Sequence, residues 1–176
     1  MKAITLLSER IAEARGFFEA TFSDVTQEQA HWAPPGTAMP MGANYAHVAL
    51  AQDMGVNGLL KSGAPLAASS WAGKTGISES PPGGGAPGDW GDWPRRVRID
   101  LPALRQYAQA VYAATDDYVA SLDDEALDRI VDLSAVGQGQ RSVGWVLFTG
   151  VVTNMELHCG EISCLKGLKG SRGYPA

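Results

Sequence analysis

The run Asn154-Met155-Glu156-Leu157-His158-Cys159-Gly160-Glu161 places an amide, an imidazole and a carboxylate at intervals of four and three residues. In a helix, at about 100° per residue, Asn154, His158 and Glu161 share one face. Packing alone does not call for such a row. Neutral imidazole is the commonest protein ligand for metals, and a catalytic zinc takes about three protein ligands plus water. A second histidine, His47, stands in the middle of an apolar stretch on a different predicted helix. Two histidines on facing helices make two of the three donors. The third is Asn154, whose neutral amide oxygen is a weaker donor than imidazole, or Glu161. A carboxylate is the better ligand by charge, or it can orient another group from behind, but the reading the residues favour for Glu161 is a hydrogen-bonding or interhelical partner. The remaining histidine, His31, precedes Trp32 in a turn and reads as a surface residue. Nothing in the pattern assigns a catalytic residue or an organic-cofactor motif.

Four helical segments are needed to position these groups. Apolar residues at Ile4, Leu7, Ile11, Ala14, Phe18 and Thr21/Phe22 predict a helix over about 1–22. Thr26-Gln27-Glu28-Gln29 has the form of a capping box and predicts a short helical turn, ended by Pro34 and Pro35. A second long helix is predicted over about 41–61, with Ala43, His47, Leu50, Met54 and Gly58 as its apolar stripe. A third runs from about Asp100, a cap before Pro102, to Leu122, and a fourth from about Ser142 to Lys166 or Leu168. Asp123–Leu127 reads as a short capped turn and 136–140 as a loop, and no strand pattern stands out. The expectation is an all-α domain over 1–176, a four-helix bundle with a long Pro/Gly/Trp-rich loop between helices 2 and 3. That loop, 62–99, contains the tract Ser78–Gly88, which cannot form regular structure, and three tryptophans, Trp71, Trp90 and Trp93. Tryptophans in such a segment pin it to the bundle, or line a lid over a pocket.

Bulk properties narrow the function. With 176 residues, 45% hydrophobic and 19% charged, the chain builds one domain with a substantial core. Its net charge is −5, and Arg95-Arg96-Val97-Arg98 is its most basic run. That run is too short to form a phosphate-binding surface and reads as a solvated lead-in to the third helix, so nucleic acid is not an expected partner. The most apolar run, 143–152, is too short to cross a bilayer, and charges come too early at the N-terminus for a signal peptide. A cytoplasmic protein with no membrane partner is expected. Cys159 and Cys164 point in opposed directions on one helix and are expected to be reduced, structural thiols.

Several landmarks occur in order: Trp32-Ala33-Pro34-Pro35, then Asn44-Tyr45-Ala46-His47-Val48-Ala49, then 154–161, then the ending 164–175. In order and spacing they resemble the DinB/YfiT-like superfamily of small bacterial proteins, which is unrelated to the DNA polymerase sharing the DinB name. The resemblance covers most of the chain, but not the insert at 62–99. It implies a four-helix bundle, often a homodimer, with a divalent metal held by three histidines, and relatives that include zinc-dependent transferases using low-molecular-weight thiols. The first ligand carries over onto His47 and the last onto His158. The middle position holds Asn154, a departure from the pattern. Two functional readings follow. One is a metal-binding protein, zinc or nickel, acting on a small molecule as a thiol transferase or hydrolase. The other is a non-catalytic small-ligand-binding or stress-response module with a degenerate metal site.

Overall fold

In a computed structural model of the chain, residues 1–82 and 90–175 are described. The chain is mostly helical, with four long helical segments around one core. Helix α1 spans Ala3–Phe22 and buries the expected stripe Leu7, Ile11, Ala14, Phe18, Thr21 and Phe22, with Ile4 partly buried. The short α2, Gln27–Ala30, begins on the predicted capping box: Thr26 and Gln29 satisfy each other's backbone N–H. Helix α3, Met41–Asp53, continues without a break into a π-helical stretch, Met54–Leu60. After the connection, which carries the short α4 (Trp93–Arg96), comes α5, Leu101–Ala120, capped by Asp100 through the Ala103 N–H. The capped turn after it is α6, Asp124–Leu127. The last long segment is α7, Val143–Leu147, a second π stretch, Phe148–Thr153, and α8, Asn154–Leu168. Helix α1 lies along α8, and α3 packs between α8 and α5. Among the described residues, no helix is long and apolar enough to cross a membrane. Cys159 is buried and Cys164 exposed, both as free thiols.

Several sequence expectations need correction. The second and fourth helices are not regular throughout, because each carries a π-helical segment. A small antiparallel sheet exists: β1, Ile130–Asp132, pairs with β2, Gln140–Ser142, in the register Ile130↔Ser142, Val131↔Arg141, Asp132↔Gln140. Strands of three residues are too short for a period-two pattern to emerge. The reversal between them relies on Gly137 and Gly139, both at positive φ. The proposed stripe of α3 is also not its core face. Ala43 is buried, but His47, Leu50 and Met54 are only partly so, while Tyr45, Ala46, Val48, Ala49, Gln52 and Asp53 are buried around them. A helix packed on several sides by small residues has little amphipathic signal to read.

The long connection is fastened by polar groups as well as by tryptophans. Asp53, fully buried, accepts hydrogen bonds from the Leu66 and Ala67 N–H groups (2.8 Å each), Asn57 Nδ2 (2.9 Å) and the Tyr107 hydroxyl (2.7 Å). One carboxylate thus ties α3, the start of the connection and α5 together. Farther along, Trp93 is fully buried and donates from Nε1 to the Glu79 carbonyl at 3.0 Å, and Trp71 packs against Tyr107. The pinning role expected of the tryptophans is therefore met. The arginines are not a merely solvated lead-in: Arg95 reaches the carbonyls of Pro34, Gly36 and Ala38, and Arg96 pairs with Glu79 and Asp92. His31 is not a free surface residue either. Its Nδ1 donates to the Gln27 carbonyl and its Nε2 accepts from the Ile99 N–H, each at 2.9 Å. The Pro/Gly tract at 83–88 lies outside the described residues.

Replacing Asp53 by Ala strands four donors, two of them backbone, in or near the core. The expected loss is about 3 kcal/mol or more of unfolding free energy. Asp53→Asn, which keeps the shape but not the charge, loses less. Denaturant unfolding of the two variants checks both the magnitude and the order.

Candidate functional site

His47 and His158 come together. Their rings lie 4.6 Å apart, centroid to centroid, nearly perpendicular at 76°. His47 is delivered by α3 and His158 by α8, two helices packed against each other. The close approach follows from the small residues that flank His47, Ala46 and Ala49, both wholly buried. On its other side His47 meets Trp90, 4.5 Å away edge to face, and Trp90 in turn packs on the buried anchor Trp93 at 5.4 Å. The connection thus contributes an aromatic wall directly to the site.

The second imidazole is held in one tautomer. His158 Nδ1 faces two oxygen acceptors, Glu161 Oε2 at 2.8 Å and Asn44 Oδ1 at 3.0 Å. Two acceptors on one nitrogen require that nitrogen to carry a proton, so in the neutral ring the lone pair lies on Nε2. Glu161 is thus a hydrogen-bonding partner, as the sequence favoured, and the group it holds is His158. The hydrogen bond from His158 is also the main reason its carboxyl titrates below the ordinary glutamate range. Asn44 is the residue that sequence reasoning missed. Its signal was available, since it stands three residues before His47, one turn away on the same helix.

His47 is held neutral. Burial, reinforced by the neighbouring His158, lowers its pKa from 6.5 to about 4, against opposing contributions from Asn154 and Glu161. Its Nδ1 is buried without a hydrogen-bond partner, and so is Nδ2 of Asn154. Both residues open onto a pocket of about 580 Å³, which His158 does not line. The two π-helical stretches form opposite parts of the wall, through Met54, Gly55 and Leu59 and through Thr149 and Gly150. Such stretches recur at functional sites because they displace side chains from the regular helical register. The unforeseen hairpin supplies Leu133, Val136 and Gln138, and Trp90 and Trp145 add two indoles.

Considered as metal donors, the side chains brought together are two imidazoles and one amide. Among the described residues, no group of three His, Cys, Asp or Glu side chains is poised to hold an ion. The residues nonetheless fit a metal in two respects. An imidazole with its proton committed to a carboxylate is the usual arrangement behind a metal ligand, and the neighbouring His47 keeps a buried ring nitrogen without a partner.

The sequence profile of the DinB superfamily matches residues 10–162. A crystal structure of a conserved protein from Enterococcus faecalis is similar in fold, with a TM-score of 0.78 and 21% identity, over 97% of this chain and 99% of that one. No curated protein matches the chain.

A pH prediction follows for metal-free protein. Because the folded-state pKa of His47 lies below its unfolded value of 6.5, the unfolded chain binds more protons between pH 6.5 and 4. This group therefore makes stability fall as pH drops through that window, by about 3 kcal/mol in total, with no further loss below it. Histidine-resolved NMR titration should find one imidazole still neutral at pH 5. If all three titrate near 6.5, the His47 environment is solvated and this account fails.

Proposed function

This chain belongs to the DinB superfamily, and from that premise we propose that it binds a divalent first-row metal, zinc or nickel, between His47 and His158. In this reading Asn154 is a third, weaker donor, the four long helical segments form the family's four-helix bundle, and a small molecule occupies the adjoining pocket. The observation that carries the reading is the pair of imidazoles 4.6 Å apart, one of them fixed by Glu161 and Asn44 with its lone pair on Nε2. A bound metal would polarise a substrate oxygen or lower the pKa of a thiol or water, the chemistry of a hydrolase or thiol transferase.

The protein's own groups divide the remaining work. Glu161 and Asn44 hold the His158 tautomer, and Glu161 brings a negative charge close to an otherwise neutral donor set. Burial keeps His47 unprotonated at neutral pH, so a cation entering there competes with no proton. The apolar walls exclude water from around the donors and bind the body of the ligand. The second reading, a non-catalytic ligand-binding module, draws on Asn154 alone, since an amide in the middle position weakens the donor set.

Elemental analysis of protein purified without a histidine tag separates the two. Close to one first-row metal per chain, lost in a folded His47→Ala variant, supports the metal site; folded wild-type protein that takes up no zinc or nickel overturns it. Asn154→His should tighten zinc binding by about 10–100-fold, and Glu161→Gln should weaken it by a similar factor. If Asn154→His creates tight binding where the wild type has none, the non-catalytic reading holds.

A further inference from the structure

The pocket beside His47 and Asn154 has a wall chemistry that narrows what enters it. Its volume, about 580 Å³, falls within the range of about 300–1,000 Å³ usual for small-molecule sites. Among the described residues, no Lys, Arg, Asp or Glu lines it. Residues 83–89, Gly-Gly-Gly-Ala-Pro-Gly-Asp, contain no cation at all, so none can come from that segment. Arg141 lies 5.0 Å over the ring of the wall residue Trp145 and donates to the Gln140 carbonyl, so it is already engaged. A carboxylate, sulfonate or phosphate entering the pocket would shed its water without a protein cation to replace it.

What the wall does offer is aromatic and polarisable surface, from Trp90, Trp145, Met39 and Met54. It also offers one orphaned donor. Asn154 lines the pocket, and its Nδ2 is buried with no partner. A buried amide N–H left unmade is costly, and an acceptor on a ligand would satisfy it. The amide has two ends: its hydrogen bond with His47 engages the oxygen, which leaves the nitrogen for the ligand.

Two glycines make the space. A Cβ built at Gly55 meets nothing within 4 Å, and one at Gly150 meets only Val146 Cγ1 at 4.0 Å. Both lie within π-helical stretches and both line the pocket. Glycine inside a helical segment is unfavourable relative to alanine, and neither position is crowded enough to demand it for packing. Open ligand space accounts for both.

We propose that this pocket takes an uncharged, ring-bearing small molecule with a hydrogen-bond acceptor, such as an aryl ketone or amide, seated between the two tryptophans with its acceptor on Asn154. This rests on the pocket being the functional site, and it names the class of substrate or ligand for that site. The test is calorimetric titration of the full chain, stripped of metal with EDTA and separately supplied with zinc, using 2-acetylnaphthalene, 2-naphthoate and naphthalene as probes.

On metal-free protein the ketone should bind at least about tenfold more tightly than the carboxylate. Gly55→Leu and Gly150→Leu should each weaken ketone binding at least about tenfold. Gly55→Ala should melt no lower than wild type, showing that the glycine is not a folding requirement. Asn154→Leu should erase the preference for the ketone over naphthalene while leaving naphthalene bound. Carboxylate binding as tight as the ketone, or ketone binding untouched by both leucines, overturns the proposal. Ketone binding that persists in a chain that takes up no metal upholds this proposal while the metal reading falls. Stoichiometric zinc with no binding of any neutral probe does the reverse.

Discussion

The buried carboxylate of Asp53 is the constraint on which most of the site depends. It stands at the residue where α3 gives way to the π-helical stretch, and it gathers donors from three places: one turn ahead on its own helix, the first turn of the long connection, and α5. A buried charge is tolerated only when its lone pairs are filled, so these four contacts stand or fall together. Holding residues 66 and 67 against the helix fixes where the connection starts. Trp93, sunk in the core, fixes where it returns. Between those two anchors the chain delivers Trp90 to the ring of His47. The aromatic wall of the site is therefore a consequence of hydrogen bonds made well away from it.

The histidine pair shows how a helical core can hold polar chemistry. Of the two imidazoles, only His158 has its Nδ1 supplied with acceptors. His158 reaches toward a partly exposed carboxylate and a buried amide oxygen, and is thereby oriented. His47 has no such support at Nδ1 and sits among apolar neighbours, which keeps its ring neutral. The asymmetry matters chemically. One ring is fixed in orientation, with the lone pair of its neutral form on Nε2, while the other is neutral but less constrained, and the amide of Asn154 lies beside it on the pocket wall. His47 can accept a cation or a hydrogen-bonding ligand without first giving up a proton.

The pocket itself arises from departures from regularity. Each of the two helices that carry the histidines contains a π-helical stretch, and both stretches border the cavity. Each contains glycine, so that a widened turn is lined by backbone rather than by a side chain. The hairpin β1–β2 and its tip close a further side with Leu133, Val136 and Gln138. A helical bundle with unbroken α-helices and a plain loop after α6 would have had less room next to His47.

Much of this protein was determined by local patterning. The stripe on α1, the Thr26–Gln29 capping box and the Asp100 cap with Pro102 follow from side-chain spacing and terminal hydrogen bonds, which act within a few residues. The shared face of Asn154, His158 and Glu161 was legible for the same reason, and so was Glu161 as a hydrogen-bonding partner, since an i,i+3 pair is a local contact. The meeting of His47 with His158 needed the packing of α3 on α8. Asn44 bonding across to His158, and Asp53 holding the connection, are contacts between residues 114 and 13 positions apart that no periodicity encodes. The π-helical stretches were hidden because a single inserted residue leaves almost no trace in an apolar, glycine-containing run. The three-residue strands were hidden because they are too short to alternate. Residue chemistry and helical period thus determined which groups were available. Only tertiary packing decided which of them meet, which are stripped of water, and where the chain leaves a space for something else to bind.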